Sequence, residues 1–331
     1  RIDGESIGFA VLNHGKRSVA IDLKSKGAME ILRPLLAKAD VLVEQFRPGV
    51  MDRLGLGFDT VREINPGLIY CSITGFGQTG PYAKRAGYDY LAQAMGGIMS
   101  VTGMPDGPPA KVGVGIADVT TGLYATIAIL AALRHRDATG AGQQLDLCLL
   151  DTQISWLVNE ATNYLVSGKR PERQGNDHPN IVPYRVYATL DGYVVLAVGN
   201  DSQFRKWCNL AERPDLADHP DCATNALRVQ HRAFVNDEVQ RSMATRTSSD
   251  WLRDLEEVGV PCGPVNTIDQ VFADPHVLKR DMRVTLPYPE SADGTVDLVG
   301  SPIKMGRTPV SYRIPPPTLG QHTASVLSEV A

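Results

Sequence analysis

Cysteine is scarce and scattered in this sequence: Cys71, Cys148, Cys208, Cys222 and Cys262 are all there are in 331 residues, with no CxxC pair. An odd, dispersed set excludes a disulfide framework and a zinc ribbon, and implies reduced thiols in a cytosol-like compartment. The seven histidines show no HxxxH spacing. His219 stands near Asp215 and Asp221, but that stretch reads as a surface loop rich in Pro and Asp, so no metal site is expected. A surplus of one charge sign is also missing: 33 Lys and Arg face 37 Asp and Glu, for a net charge of -4. Such a chain has no general attraction to nucleic acid or to anionic membrane, and any polyanionic ligand must be held by a local basic patch. The longest strongly apolar run, residues 123–133, is too short to cross a bilayer and ends on Arg134, His135 and Arg136, so no membrane association is expected. No signal peptide opens the chain.

What is present is the composition of an ordinary globular protein, 43% hydrophobic and 21% charged, at a length that suits one large domain or two smaller ones. The first half alternates short β-rich runs with helical patterns. Strands are expected over 18–22, 41–44 and 68–73, with helices over 27–38 and 59–64. That alternation predicts an α/β fold with a parallel sheet and helices on both faces. A long helix over about 118–136, a strand over 143–149 and a helix over 152–166 follow. Gly, Pro, Asn, Asp and Lys then crowd together at 168–183, which reads as a linker into a smaller domain. There, residues 185–190 and 193–198 flank Asp191-Gly192, a hairpin signal, and helices are expected over 202–210, 227–244 and 249–257. From Met282 the chain turns strand-like and Pro-rich, with a last helix over 321–330.

Two glycine-bearing segments invite functional readings. Gly75-Phe76-Gly77-Gln78-Thr79-Gly80 matches GxGxxG after a strand. The dinucleotide fingerprint needs its last glycine to enter a helix, whereas Pro81 and Tyr82 follow here, so a tight loop lining another kind of site is the better reading. Lys111-Val112-Gly113-Val114-Gly115-Ile116-Ala117-Asp118 runs directly into a long helix. Asp118 suits an N-cap, which satisfies orphan backbone N–H groups and needs no further role. The same position suits a carboxylate nucleophile, since the positive end of a helix keeps it ionised and the glycines admit a thioester close to the backbone. Basic residues cluster early (Lys16, Arg17, Lys24, Lys26, Arg47, Arg53, Lys84, Arg85). Solvated helix faces account for most such charges, yet several stand at the ends of expected strands, where α/β sheets bind phosphorylated ligands.

The run from Asn13 through Gly15-Lys16-Arg17-Ser18-Val19-Ala20-Ile21-Asp22-Leu23-Lys24, then Asp40-Val41-Leu42-Val43-Glu44-Gln45-Phe46-Arg47-Pro48-Gly49, resembles the class III CoA-transferases. Tyr70-Cys71-Ser72-Ile73-Thr74-Gly75-Phe76-Gly77, Gly87-Tyr88-Asp89, the Asp118 segment and the C-terminal Pro315-Pro316-Pro317-x-Leu319-Gly320-Gln321-His322-Thr323 continue the likeness in order, over essentially the whole chain. The resemblance implies a Rossmann-like large domain built from both chain ends, a smaller α+β domain, and two subunits interlocked as a homodimer. On that plan 1–167 is the first part of the large domain, 168–183 the linker, 184–281 the small domain and 282–331 the return segment. It further implies that Asp118 attacks an acyl-CoA thioester, that Ile21, Lys24, Gln45, Phe46, Arg47 and Arg53 contact coenzyme A, and that Tyr88 lines the pocket beside the nucleophile. Coenzyme A is then a substrate, with no permanently bound cofactor.

The run from Asp177 to Tyr184, with Gly199 and Asn200, is most similar to the succinyl-CoA:glutarate and related dicarboxylate enzymes. It makes His178, Gly199 and Asn200 candidate contacts to the acid, although an exposed loop histidine needs no such role. In the family a glycine-rich loop covers the site, whereas Val198-Gly199-Asn200-Asp201-Ser202-Gln203 carries one glycine. The chain opens on Arg1 rather than Met, and the family's first strand and loop, part of its CoA site, are expected to precede it. The expected partners are acyl-CoA, small carboxylates and a second copy of the chain, in the cytoplasm or, in a eukaryote, the mitochondrial matrix. Two rivals remain open. A racemase of the same fold would need His in place of Tyr88, since tyrosine, with an ordinary pKa of about 10, is a poor base at neutral pH. A non-catalytic CoA-binding fragment is the other.

Overall fold

Residues 41–44 (Val-Leu-Val-Glu) and 69–74 (Ile-Tyr-Cys-Ser-Ile-Thr) lack the polar alternation of a half-exposed strand, which suits strands inside a sheet with both faces covered. In the computed structural model, which describes residues 7–288 and 291–330, they are β1 (Val41–Glu44) and β2 (Ile69–Thr74). With β3 (Gln144–Cys148) they form a three-stranded sheet in the order β1-β2-β3. All pairs are parallel, with Val43 opposite Cys71 and Cys71 opposite Leu145. The central strand is the most buried, Ile69 and Cys71 being inaccessible to solvent. The helices Ala28–Lys38 and Phe58–Ile64 cover the sheet with Leu36, Val61 and their neighbours, which pack with Leu68 and Tyr70. Each such buried aliphatic side chain contributes about 1.5–3 kcal/mol. The expected α/β class with a parallel sheet is therefore present.

The described residues divide into two compact units. One holds the chain up to Gly87, Thr120–Leu149 and everything from Thr267; the other holds Tyr88–Val119 and Leu150–Asn266. These divisions differ from the boundaries at 167, 183 and 281 drawn from the sequence, and Arg1 lies outside the described residues.

In the first unit, residues 18–22 are not a strand, contrary to expectation. Their polar groups are taken by the C-terminal Pro-rich segment. The Ser18 N–H donates to His322 Nδ1 (3.1 Å), the Ala20 N–H donates to Thr323 Oγ1 (3.0 Å), and the Gly320 N–H donates to Ser18 Oγ (2.9 Å). Side-chain bonds and a backbone bond, from the His322 N–H to the Ser18 carbonyl (2.9 Å), serve this β-prone stretch in place of a ladder, which is why composition misread it. The return segment also carries the antiparallel pair β7 (Arg283–Pro287) and β8 (Thr295–Val299).

The GxGxxG segment is a loop here. The Gly77 N–H donates to Thr74 Oγ1 (2.8 Å) and the Gln78 N–H to the Asp146 carboxylate (3.0 and 3.2 Å). Gly75 is glycine for a packing reason: a Cβ there would lie 2.4 Å from the Gly87 Cα, and a Cβ on Gly87 would lie 2.4 Å from the Gly75 Cα. Both neighbours are backbone and cannot swing aside. Gly75→Ala and Gly87→Ala are each expected to lower Tm by roughly 3–10 °C, the range of a 1–3 kcal/mol overpacking cost. A thermal melt unchanged within 1 °C would show that the two loops part freely.

In the second unit β4 (Tyr184–Ala188), β5 (Tyr193–Ala197) and β6 (Cys262–Pro264) form an antiparallel sheet in that order. The hairpin lies at the expected Asp191-Gly192, and the turn is closed by the Gly192 N–H donating to Thr189 Oγ1 (3.1 Å). The helices Asp201–Leu210, Arg232–Met243 and Ser248–Glu257 close over the sheet around Trp207, Trp251, Val194, Leu196 and Leu255. Two expected helices are each divided. Residues 152–166 form Leu149–Ser155 and Val158–Ser167, separated where Val158 takes φ 41°, and 227–244 form Asn225–Gln230 and Arg232–Met243, with His231 between them.

The helix Ile116–Thr139 is longer than expected at both ends. By length and composition it is long and apolar enough to cross a membrane, a measure that its uninterrupted apolar run of 123–133 does not reach. Its Val119, Leu123, Ile127 and Leu130 recur at helical spacing, and all four are more than half exposed.

Candidate active site

Asp118 is the third residue of the Ile116–Thr139 helix, in its first turn, and not the N-cap anticipated from its position. The capping carboxylate comes instead from Asp89, which opens the helix Asp89–Met95. Asp89 Oδ1 accepts from the Ala117 N–H (2.8 Å) and the Asp118 N–H (3.3 Å). These are two of the four amides that an α-helix leaves without an internal partner.

Asp89 is itself fixed from one turn further along its own helix. Gln93 Nε2 donates to Asp89 Oδ2 (2.7 Å), and Gln93 Oε1 accepts from the Val112 N–H (2.9 Å). Gln93 is fully buried. The amide therefore ties the Asp89 carboxylate to the glycine-bearing segment that leads into Asp118. A Cβ added to Gly115 would lie 3.6 Å from Asp89 Cγ and 3.8 Å from Asp118 Oδ2. The two carboxylates thus flank the same glycine, which presents bare backbone between them.

Asp118 is solvent-exposed, yet its pKa is held above the ordinary carboxylate value, first by desolvation and second by the negative charge of Asp89. Both make the ionised form more basic than a free aspartate, and a more basic carboxylate is a better nucleophile. Tyr88 immediately precedes Asp89 with its side chain 70% exposed.

The other candidates in this unit lie on well-braced loops. His178 is half-buried against Tyr184, at 5.0 Å between ring centroids. Its Nδ1 accepts from the Asn180 N–H (3.1 Å), so a neutral ring carries its proton on Nε2. Arg232 holds the same loop by donating to the carbonyls of His178 (2.9 Å) and Pro179 (2.7 Å). Asn200 is the N-cap of Asp201–Leu210, its Oδ1 accepting from the Gln203 N–H (2.9 Å). The Gly199 N–H donates to Gln203 Oε1 (2.7 Å). Arg228, fully buried, donates to the carbonyls of Val182 (2.7 Å) and Cys222 (2.8 Å) and to Asp201 Oδ1 (2.8 Å), and its guanidinium stacks 4.4 Å from the Phe204 centroid.

The remaining candidates belong to the first unit. Gln45, Phe46 and Arg47 follow the carboxyl end of β1 and are exposed. The turn there is set by the Phe46 N–H donating to Glu44 Oε2 (2.7 Å). Arg47 lines a small polar cavity of about 40 Å³ with Glu44, Asp52, Tyr70 and Gln144, at the edge of a parallel sheet where ligands of such folds bind. Arg53 and Lys24 are exposed and Ile21 is half-buried. The sequence reading missed Asp89 and Gln93. The trace they leave is an acid and an amide four residues apart on one helix, a spacing that pairs side chains but does not point to Asp118, 29 residues away.

The family model of CoA-transferase family III matches residues 1–323. The chain is 48% identical to a succinate–glutarate CoA-transferase of Agrobacterium fabrum, over 99% of its own length and 82% of that protein. It is 40% identical to a human succinyl-CoA:glutarate CoA-transferase, over 98% and 74%. Among solved structures it is similar to a CaiB/BaiF family protein from Brucella suis, with a TM-score of 0.87 and 44% identity, over 98% of this chain and 84% of that one.

Proposed function

This chain belongs to CoA-transferase family III, and from that membership we propose that it moves coenzyme A from succinyl-CoA, or a similar dicarboxylyl-CoA, to a dicarboxylic acid, with Asp118 as the nucleophile. What carries the reading is the match along nearly the whole chain to relatives whose names specify that exchange.

The chemistry follows from the carboxylate that this fold presents. An ionised Asp118 oxygen attacks the thioester carbonyl, the C–S bond breaks, and a mixed anhydride and CoA thiolate result. The thiolate then attacks the Asp118 carbonyl of the anhydride and expels the donor carboxylate, leaving an aspartyl-CoA thioester. The acceptor carboxylate attacks that thioester and releases the thiolate again. Thiolate attack on the acceptor's acyl carbon finally yields the new acyl-CoA and frees Asp118. Each step consumes one anion and releases another, so no proton has to move. Positioning and exclusion of water from the anhydride carry the rate.

In this reading Ile21, Lys24, Gln45, Phe46, Arg47, Arg53 and Tyr88 hold coenzyme A. Tyr88, His178, Gly199 and Asn200 face the acid, with the His178 Nε2–H donating to a distal carboxylate. Because Gln203 occupies the Gly199 N–H and Asn200 Oδ1 caps a helix, that loop acts as a fixed wall rather than a mobile cover. A second copy of the chain covers the exposed stripe of Val119, Leu123, Ile127 and Leu130, which accounts for an apolar helix that little else buries. The dispersed free cysteines and the proposed CoA substrate support a reading of the cytoplasm, or of the mitochondrial matrix in a eukaryote. Tyr88, standing where a racemase of this fold needs histidine, favours transfer over epimerisation.

The test is an acceptor panel with succinyl-CoA as donor. Glutarate, oxalate or malate is expected to accept CoA at least ~100-fold better than monocarboxylates of similar size, the discrimination available to a site that pairs a polar group with its ligand. Transfer to monocarboxylates alone would refute the dicarboxylate assignment.

A further inference from the structure

We propose that Asp89, locked by Gln93, is a positioning residue for the nucleophile: it replaces the missing cap of the Ile116–Thr139 helix and thereby fixes the backbone from which Asp118 reaches the thioester. The inference rests on the reading of Asp118 as nucleophile and extends it to residues that do not themselves react.

A helix normally begins on a residue whose own side chain satisfies the first free amides. Here the approach is Val112-Gly113-Val114-Gly115-Ile116, which offers no side-chain acceptor. Two glycines leave this stretch free to adopt many conformations. The Asp89 carboxylate, 28 residues from Ala117 in sequence, takes the Ala117 and Asp118 amides with a single oxygen. Its other oxygen accepts from Gln93 Nε2. Gln93 in turn binds the Val112 amide on the far side of the two glycines, with a longer contact of 3.4 Å from Nε2 to the Val114 carbonyl. The flexible approach is thus clamped at both ends by one acid–amide pair, and nothing is left for Asp118 to cap. Its carboxylate is released for chemistry.

The arrangement predicts how acid and amide depend on each other. Gln93 gives a hydrogen to Asp89 and takes one from Val112. If Asp89 becomes Asn, two NH₂ groups face each other; if Gln93 becomes Glu, two carboxylates do. Exchanging both, Asp89→Asn with Gln93→Glu, restores a donor facing an acceptor, keeps an oxygen for the Ala117 and Asp118 amides and one for Val112, and gives up only the long contact to the Val114 carbonyl.

The experiment measures kcat and KM for succinyl-CoA with a dicarboxylate acceptor, and Tm, for D89A, D89N, Q93E and D89N/Q93E, beside D118A. D89A is expected to lower kcat ~100-fold or more with KM within ~3-fold, the cost of misplacing a reacting group by about 1 Å. Each single exchange is expected to lose ~10–100-fold, and the double exchange to return within ~10-fold of the native rate, a coupling that independent effects would not produce. Losses that multiply in the double variant would overturn the inference, as would a rise in KM matching the fall in kcat, which would mean that Asp89 touches substrate. A fall in activity that only tracks the unfolded fraction would reduce Asp89 to a structural role. Should D89A fail to fold, the exchanged pair still decides. If D118A keeps its turnover, the nucleophile assignment itself fails; if D118A is inactive and D89A is not impaired, only the present inference does.

Discussion

Asp118→Ala is expected to abolish CoA transfer, with kcat lowered ~10⁴-fold or more and the affinity for CoA unchanged within a few-fold, because the proposed covalent route has no other entrance. Incubation with succinyl-CoA, trapping with hydroxylamine or borohydride and mass spectrometry should show an adduct on the peptide bearing Asp118 that the variant lacks. The pH dependence has a definite sign. The nucleophile must be ionised, and desolvation and Asp89 hold its pKa above the ordinary aspartate value. The rate therefore falls on acidification at a higher pH than a free aspartate would give, and Asp89→Asn should move that fall to lower pH. Stability runs the other way. A carboxylate whose folded pKa is raised contributes most when protonated, and that contribution is lost as pH rises through the folded value. Asp118→Asn should thus leave the neutral-pH Tm equal to or slightly above the native one. Asp215, paired with Arg213, has a lowered pKa, as do Asp254, paired with Arg246, and Asp297, paired with Thr285 and Arg283. Their contributions, present above the unfolded value and reduced by solvent screening, are lost as pH falls through the folded value. An adduct surviving in Asp118→Ala would place the nucleophile elsewhere.

The largest stability effect is expected at Arg228. Its guanidinium has no solvent contact, makes three hydrogen bonds and lies on Phe204. Arg228→Leu leaves the Val182 and Cys222 carbonyls without donors and the Asp201 carboxylate without its partner. A loss of about 3–5 kcal/mol follows, the usual cost of stripping one side of a buried charged network. Arg228→Lys should recover little, because an ammonium cannot meet three acceptors in one plane. Urea titration followed by the fluorescence of Trp207 and Trp251, both in the same core, measures the effect directly. A lysine variant within about 0.5 kcal/mol of the native protein would show that charge, not the planar fork, holds this region.

How much of this was legible beforehand depended on whether each signal was local. β1 was expected over the residues it occupies, and the hairpin at Asp191-Gly192 was expected where it lies, because apolar runs and turn residues act on neighbours. The helix before β3 was legible as a helix, but not its start, since the group that caps it lies on another element. Residues 18–22 have the composition of a strand and were read as one; their hydrogen-bond partners lie about three hundred positions later, and no window of sequence contains both. His231 and Val158 break two helices that periodicity had joined, because a hydrophobic period continues through a one-residue change of direction. Asp118, the proposed nucleophile, was singled out through its glycines, whereas Asp89 and Gln93, whose partners sit on the approach to another helix, carry no short-range signature.

The bonds between residues 15–20 and residues 314–323 also bear on how the chain is made. Gly15 donates to the Ile314 carbonyl, and Ser18 donates to His322 at a separation of 304 residues. At a synthesis rate of about 5–20 residues per second, these early amides wait roughly 15–60 s for partners that have not yet emerged. The run from Leu150 to Asn266 meets most of its own contacts as it appears. The parallel-sheet unit is thus the last part of the protein to close, and its edge strands β1 and β3 are what a nascent chain must keep from pairing with a neighbour on the same message.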